Sequence, residues 1–173
     1  MRIESWAGAA MLLAMFGSVI AADEQQCRLT PLPANVEFPR DLEPAIRRIY
    51  ARSPTFRAQY ERIAAAEQLR VTVQIDTSIP ARWRAFTIVQ RRRSEIRADI
   101  HLPPSSDHSE LLAHEFEHLL EQVEGLDLKT LARIKGSGVR ESEYALFETE
   151  RAKAAGRAVL AEAGRWSRAP EGD

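Results

Sequence analysis

Residues 110–121 read Glu-Leu-Leu-Ala-His-Glu-Phe-Glu-His-Leu-Leu-Glu and place three polar side chains, His114, Glu115 and His118, in an H-E-x-x-H arrangement. Most of the other residues in this stretch are apolar, which predicts a largely buried helix. On a helix, residues four apart lie one turn apart on the same face, so both imidazoles can reach one ion. Two imidazole nitrogens beside a carboxylate are the groups that a zinc-activated hydrolase requires.

Signals for the start and end of a helix lie on both sides of this motif. Pro103 and Pro104 end the segment before it, and Asp107 is placed to cap the helix. Glu110 stands three residues after Asp107, which predicts a capping box. Gly125 is the predicted end of the helix.

The rest of the chain predicts an α+β fold with a small antiparallel or mixed sheet. Apolar residues at helical spacing predict two helices before the sheet, and alternating apolar residues predict three strands. The arginine-rich segment 91–94 between the last two strands predicts a hairpin connection. The predicted helices cover residues 41–51 and 53–64, the strands 69–76, 83–90 and 96–102, and a long alanine-rich final helix 141–163.

The N-terminal residues predict an exported protein. Arg2 precedes a segment without charged residues from Ala7 to Ala22, and small residues near its end suit cleavage. We therefore expect a signal peptide (1–22), an extended leader (23–40), a folded domain (41–163) and a tail (164–173). The apolar segment is short for a bilayer span, so no stable membrane span is expected after cleavage.

Charge and cysteine usage exclude some function classes. The net charge is −1, from 24 basic and 25 acidic residues, so no overall field favours nucleic acid. Cys27 is the only cysteine, so an intramolecular disulfide is impossible. The arginines at 82, 84, 91–93 and 97 are interpreted as a solvated hairpin rather than as a binding patch.

A zinc hydrolase usually has three protein ligands and one open position for water. Glu124 lies six residues beyond His118, where one class of zinc proteases has its third ligand. That class has a glycine where this chain has Glu121, because the backbone must turn back towards the metal. Glutamate lets the helix continue, so Glu124 is expected to point away.

The predicted final helix carries further glutamates that could supply the third ligand. Glu148 is favoured because it shares a face with small apolar residues that would pack on the motif helix. Glu141 lies two turns earlier on the same stripe and is the second candidate, whereas Glu150 lies on the opposite side. A carboxylate on an apolar face requires a partner, which would be zinc or, alternatively, an arginine. The candidate arginines are Arg140 and Arg151.

The motif His114–His118, followed some thirty residues later by Glu148, resembles the zincin metallopeptidases of the gluzincin kind, especially their minimal single-domain forms. This resemblance implies that His114, His118 and Glu148 bind Zn²⁺ and that Glu115 is the general base. It also implies that the strand at 96–102 is an edge strand that binds the substrate backbone. Many members orient a histidine with an aspartate after the third ligand. Here that position is an alanine, and Glu121 and Glu150 are the nearest acidic residues.

The expected function is therefore that of an exported zinc metallopeptidase acting on a peptide or protein. Glu115 would accept a proton from water and pass it to the leaving amine. Tyr144 and His108 are candidate donors to the developing oxyanion. The alternative is a binding or structural domain in which zinc, or no metal, joins two helices. The sequence leaves substrate preference and oligomeric state open.

Overall fold

The computed structural model describes residues 33–79, 84–104, 107–141 and 146–164. All of them belong to the unit Leu32–Asp173, while the unit Met1–Pro31 lies outside the described residues. The predicted signal peptide, Cys27 and Tyr144 also lie outside the described residues, as do nearly all of the predicted tail and the first part of the predicted leader.

Five helices and two small sheets make up the described residues, so the fold is α+β, as predicted. A short strand, two helices and three longer strands precede the motif helix. A short helix, a two-stranded hairpin and a final helix follow it. In chain order the elements are β1 (Val36–Glu37), α1 (Glu43–Arg52), α2 (Pro54–Ala65), β2 (Leu69–Ile75), β3 (Phe86–Arg91), β4 (Ile96–Leu102), α3 (Ser109–Val123), α4 (Leu128–Leu131), β5 (Val139–Glu141), β6 (Phe147–Thr149) and α5 (Glu150–Gly164).

Strands β1 to β4 form a mixed sheet in the order β1-β2-β4-β3. β2 runs parallel to both β1 and β4, while β3 runs antiparallel to β4. Arg91 pairs with Ile96, which confirms the predicted hairpin between these two strands. β4 consequently lies inside the sheet and β3 lies at its edge. The expectation that β4 is an edge strand is wrong, because the parallel pairing with β2 occupies its other side.

The N-terminal elements begin at different residues from those predicted. β1 pairs with Val71 and Thr72 of β2, so the sheet starts within the segment expected to be a leader. Helix α1 begins at Glu43 rather than at Asp41, with Leu42 at its N-cap. Helix α2 follows the prediction closely, since the Ser53 hydroxyl accepts the N–H of Phe56 at 3.0 Å.

The core lies between the sheet and the helices. Alternate side chains of β2 and β4 are buried, as their period of two predicts. The motif helix α3 packs against α2, α5 and β4, and the rings of Phe56 and Phe116 stack with centroids 5.5 Å apart. The buried core side chains include Ile46, Ile49, Phe56, Ile63, Leu69, Val71, Val73, Ile96, Ile100, Leu102, Leu112, Phe116, Leu119, Leu120 and Val159.

The ends of α3 follow the sequence signals in part. The Asp107 carboxylate accepts the backbone N–H of Ser109 at 2.8 Å, but Glu110 does not complete a capping box. Glu110 instead forms an ion pair with Arg84, because the helix starts one residue later than predicted. Gly125 has φ of 74° and ends the helix as predicted, in a left-handed conformation that glycine adopts without strain.

The predicted helix at residues 141–163 is wrong in its first part. β5 and β6 pair antiparallel, and α5 begins only at Glu150. Glu148 therefore lies in β6 opposite Arg140, and not on a helical face. Thr149 marks the boundary, because its hydroxyl accepts the N–H of Ala152 at 2.9 Å. A threonine followed by a glutamate is a helix-start signal that the alanine-rich pattern obscured.

Helix α5 lies close against α3 through small residues. A Cβ at Gly156 would lie 2.9 Å from the carbonyl oxygen of Glu110 and 3.5 Å from Cβ of His114. Ala152 and Val159 are buried on the same side of α5. Among the described residues, none of the helices has both the length and the apolar character needed to cross a membrane.

Candidate metal centre

Three side chains from two elements meet at one end of the α3–α5 packing. His114 and His118 of α3 and Glu148 of β6 each offer a ligand atom, and these atoms lie within 4.8 Å of one another. Nε2 of His114 lies 3.2 Å from Nε2 of His118 and 3.3 Å from Oε1 of Glu148. The group could hold a metal ion, since all three side chains are metal ligands in proteins.

Two different structural features bring these ligands together. The two histidines meet because residues four apart lie on one side of a helix. Glu148 meets them because β6 leads directly into α5, which lies against α3 at Gly156, next to His114. The close helix packing therefore holds the end of β6 beside the motif.

The other candidate glutamates lie elsewhere. Glu141 is exposed in β5, and Glu150 is exposed at the start of α5, where Lys153 lies 3.5 Å away. Glu124 forms ion pairs with Arg62 and with Arg151, the latter at 2.5 Å, so it does not join the histidines. Of these glutamates, only Glu148 contacts the motif.

Glu115 is buried beside the histidines and is held by the edge strand of the sheet. Its Oε2 accepts a hydrogen bond from the Thr87 hydroxyl at 2.6 Å. Burial raises the pKa of Glu115, and the Thr87 hydrogen bond and the nearby histidines reduce this rise only in part. Thr87 was not identified from the sequence, because the contact joins β3 to a helix that lies far along the chain.

The second nitrogen of His118 has a buried partner on the same helix. Nδ1 of His118 lies 2.9 Å from Oε2 of Glu121, and Oε1 of Glu121 accepts the Thr149 hydroxyl at 2.7 Å. Burial lowers the pKa of His118, but the Glu121 hydrogen bond and the surrounding carboxylates outweigh it, so the pKa is raised. Glu121 was one of two acidic residues considered near the motif, and Thr149 was missed.

The half-buried Glu148 carboxylate is in its charged form at neutral pH. The hydrogen bond with His114 lowers the pKa of Glu148 despite the opposing effect of burial. Lys153 adds a cation 3.7 Å from Oε2 of Glu148. An ionised carboxylate and two imidazoles together form a donor set for a divalent cation.

A cleft of about 340 Å³ opens beside these residues. The edge strand β3 forms one side, and Glu115, His118 and Glu148 lie along the other. Most of the remaining surface is apolar, with one arginine. The further lining residues are Ala85, Phe86, Thr87, Val89, Arg91, Gln122, Leu128, Leu146 and Phe147.

The remaining histidines lie in other environments. His108, one of the two candidate oxyanion donors, is buried, donates from Nε2 to the carbonyl of Pro103 at 2.9 Å and does not line the cleft. His101 stacks on Phe86 and lies 3.0 Å from Asp76. Of the arginine cluster, Arg84 and Arg97 form ion pairs with Glu110 and Glu95, which suits a solvated hairpin.

Comparison of the chain with protein-family models, with curated proteins and with solved structures finds no match.

Proposed function

We propose that this protein is a zinc-dependent peptidase of the zincin kind. The observation that carries the proposal is the meeting of His114, His118 and Glu148 beside Glu115, a buried carboxylate at the edge of a cleft. Two imidazoles and one carboxylate leave a fourth position for water, as catalytic zinc requires.

Two of the three separations between the donor atoms fit zinc, and all three donor atoms lie within 4.8 Å of one another. Ligand atoms about 2.0–2.1 Å from a tetrahedral ion lie about 3.3–3.4 Å from one another. The separations of 3.2 Å between the histidines and 3.3 Å between His114 and Glu148 are close to this value. Imidazole and carboxylate donors also bind other first-row metals, and zinc is proposed because the ligand set and the motif glutamate match its hydrolytic sites.

Zinc bound in this group would supply two effects, a lower pKa for water in its open position and polarisation of a substrate carbonyl. Glu115 would accept the proton from that water and then donate it to the leaving amine. Thr87 would keep one carboxylate oxygen of Glu115 in place through its hydrogen bond. Burial raises the pKa of Glu115, and this is the direction that favours proton transfer to a general base.

The likeness to gluzincins is strongest in α3 and weaker at the third ligand. The resemblance implies a glutamate on a following helix, whereas Glu148 lies in β6, two residues before α5 begins. The aspartate that many members place after the third ligand is absent from this chain. Membership of the zincin class therefore rests on the ligand set and on Glu115.

We propose an extended peptide as the substrate. β3 lies at the edge of the sheet and along the cleft, so its free backbone groups could pair with a peptide strand. The apolar lining around Val89, Leu128 and Phe147 would accommodate apolar side chains. This assigns to β3 the role that the sequence had suggested for β4.

Export also belongs to this proposal. Cleavage after Ala21 or Ala22 would release a chain that begins near the leader. Mass measurement of the protein secreted or released from the host cell checks this. A mass that retains residues 1–22 contradicts it.

Glu115→Gln tests the function, because it keeps the size of the side chain and removes the base. We expect wild-type protein to contain one zinc ion and to cleave some members of a mixed peptide library. Glu115→Gln should retain zinc and lose about 10²–10⁴-fold in turnover. Glu110→Gln is the matched control, because Glu110 lies on the same helix and pairs with Arg84.

Three results would contradict the proposal. Wild-type protein without stoichiometric zinc excludes the metallopeptidase. Zinc together with equal peptide turnover in wild type and Glu115→Gln excludes Glu115 as the base. If zinc is present and no peptide in the library is cleaved, the site is a structural metal that joins α3 to β6, the second of the functions considered from the sequence.

A further inference from the structure

A buried carboxylate links the two elements that supply the ligands. Glu121 is 1% exposed, and its two oxygens have different partners. Oε2 lies 2.9 Å from Nδ1 of His118, and Oε1 lies 2.7 Å from the hydroxyl of Thr149. His118 is a candidate ligand on α3. Thr149 directly follows Glu148, the candidate ligand in β6.

We propose that Glu121 is a positioning residue that orients His118 and, through Thr149, holds Glu148 beside it. The inference rests on the proposed metal site. It assigns a task to a residue outside the ligand set and outside the general base.

The first part of this task concerns the imidazole of His118. When Nδ1–H donates to Glu121, Nε2 carries the lone pair and faces His114. The hydrogen bond thus fixes both the tautomer and the direction of the ring. A carboxylate partner also makes the imidazole a stronger donor to a metal.

The second part concerns the placement of Glu148. The Thr149 hydroxyl donates its proton to Glu121 and accepts the N–H of Ala152 at 2.9 Å. Thr149 contacts Glu121, while the preceding residue, Glu148, lies beside the two histidines. Anchoring Thr149 therefore holds the backbone from which Glu148 extends, at the point where β6 becomes α5.

The two buried carboxylates of α3, Glu117 and Glu121, differ in their basic partners. Glu117 is also buried on α3, and it forms an ion pair with Arg151 at 2.5 Å. Within the described residues, the basic side chain at ion-pair distance from Glu121 is His118. A neutral, metal-bound imidazole carries no charge of its own, so the ion would supply the positive charge opposite Glu121.

The test measures zinc affinity and folding stability in the same variants. The zinc dissociation constant is obtained by competition with a chromophoric chelator, and the free energy of unfolding by urea titration of metal-free protein. Glu121→Gln should weaken zinc binding by about 10- to 100-fold. Glu117→Gln is the matched control, because it removes a buried carboxylate of the same helix without touching a ligand. It should lower stability, and any loss of zinc affinity should be smaller than in Glu121→Gln, because Glu117 contacts Arg151 of α5 rather than a ligand.

A second pair of variants tests the link to Glu148. Thr149→Val removes the hydroxyl at nearly constant volume, and Thr149→Ser retains it. We expect Thr149→Val to weaken zinc binding and Thr149→Ser to keep the wild-type affinity. In the double variant Glu121→Gln and Thr149→Val, the losses should be less than additive, because both break one hydrogen-bonded chain.

Equal zinc affinity in wild type and Glu121→Gln overturns the inference while leaving the metal site intact. Equal losses in Glu117→Gln and Glu121→Gln overturn it as well, since the effect would then come from the stability of α3. If Thr149→Ser binds zinc as weakly as Thr149→Val, the link to Glu148 is excluded. Wild-type protein that binds no zinc contradicts the proposed function, and this inference with it.

Discussion

Helix α3 and the segment from β5 to α5 contribute to the same site in different ways. In α3, the sequence places His114, Glu115 and His118 within two turns, and the structure shows these side chains where helical spacing requires them. In the later segment, Glu148 reaches the site from a strand of three residues, although the sequence predicted a helix there. Glu148 lies beside the two histidines, but on a strand and not on the helical face from which it was predicted.

The difference shows which parts of a metal site are local. Two histidines four residues apart meet whenever the helix forms, because the spacing sets their relative positions. Glu148 depends on the β5–β6 pairing, on the start of α5 at Glu150 and on the packing of α5 against α3. A change at any of these three places would move the carboxylate without altering the motif.

The largest effect is expected from removal of the ligand in the later segment. Glu148→Ala should weaken zinc binding by at least about 100-fold, because one of the three proposed protein ligands is lost. Glu150→Ala, two residues later and exposed, is the matched control and should bind zinc as wild type does. Zinc content after dialysis against a weak chelator distinguishes the two. Unchanged zinc content in Glu148→Ala would show that Glu148 is not a ligand and that only residues of α3 bind the metal.

A smaller effect is expected from the contact that holds the two regions together. Gly156→Ala would place a Cβ 2.9 Å from the carbonyl oxygen of Glu110, so α5 must move away from α3. We expect a loss of about 1–3 kcal/mol in the free energy of unfolding, together with weaker zinc binding. Urea titration and chelator competition measure these two quantities.

Gly164→Ala is the control for this change, because an added Cβ there meets no atom within 4 Å. It should bind zinc with the wild-type affinity. Its free energy of unfolding should equal that of wild type or be slightly higher, since alanine favours the helix. If Gly156→Ala behaves in the same way, close packing at Gly156 does not position β6.

The smallest effect concerns the surface ion pairs that Glu124, at the end of α3, forms with Arg151 of α5 and Arg62 of α2. Hydrogen bonding to Arg151, together with Arg62, lowers the pKa of Glu124 to about 2. Because the folded-state pKa is below the usual value of 4.5, the stabilisation is present above pH 4.5 and is lost as the pH falls towards 2. Solvent screening limits it to about 1 kcal/mol or less.

Glu124→Gln should therefore lower stability slightly at pH 7, and the difference from wild type should shrink as the pH falls below 4.5. Urea titrations of metal-free protein at several pH values measure this difference without a contribution from zinc loss. A difference that stays constant across this range would show that the ion pair is not its source.

Much of the fold could be predicted where the structure of an element follows from its own local sequence. The alternation in β2 and β4, the hairpin after Arg91 and the glycine at the end of α3 all appear as expected. The predictions failed where a distant partner decided the outcome. β1 is a strand only because it pairs with β2, and β4 is internal only because β2 lies beside it.

The hydrogen-bond partners of the site residues also divide into those near in sequence, which could be predicted, and distant ones, which could not. Glu121 was noticed because it stands where one class of zinc proteases has a glycine and because it is one of two acidic residues near the motif. Thr87 and Thr149 were missed, because each reaches α3 across a gap of 28 residues. Nothing in the local pattern of a threonine indicates which carboxylate it will meet.

The sequence by itself determined the pair of histidines and the position of Glu115 between them, and it predicted a metal site there. Helical periodicity is a property of neighbouring residues, so it can be worked out without the rest of the chain. Only the tertiary structure decided which glutamate lies beside the histidines, which strand borders the cleft and how Glu121 joins α3 to β6. These depend on strand pairing and helix packing between distant segments, and their geometry is set by the whole fold.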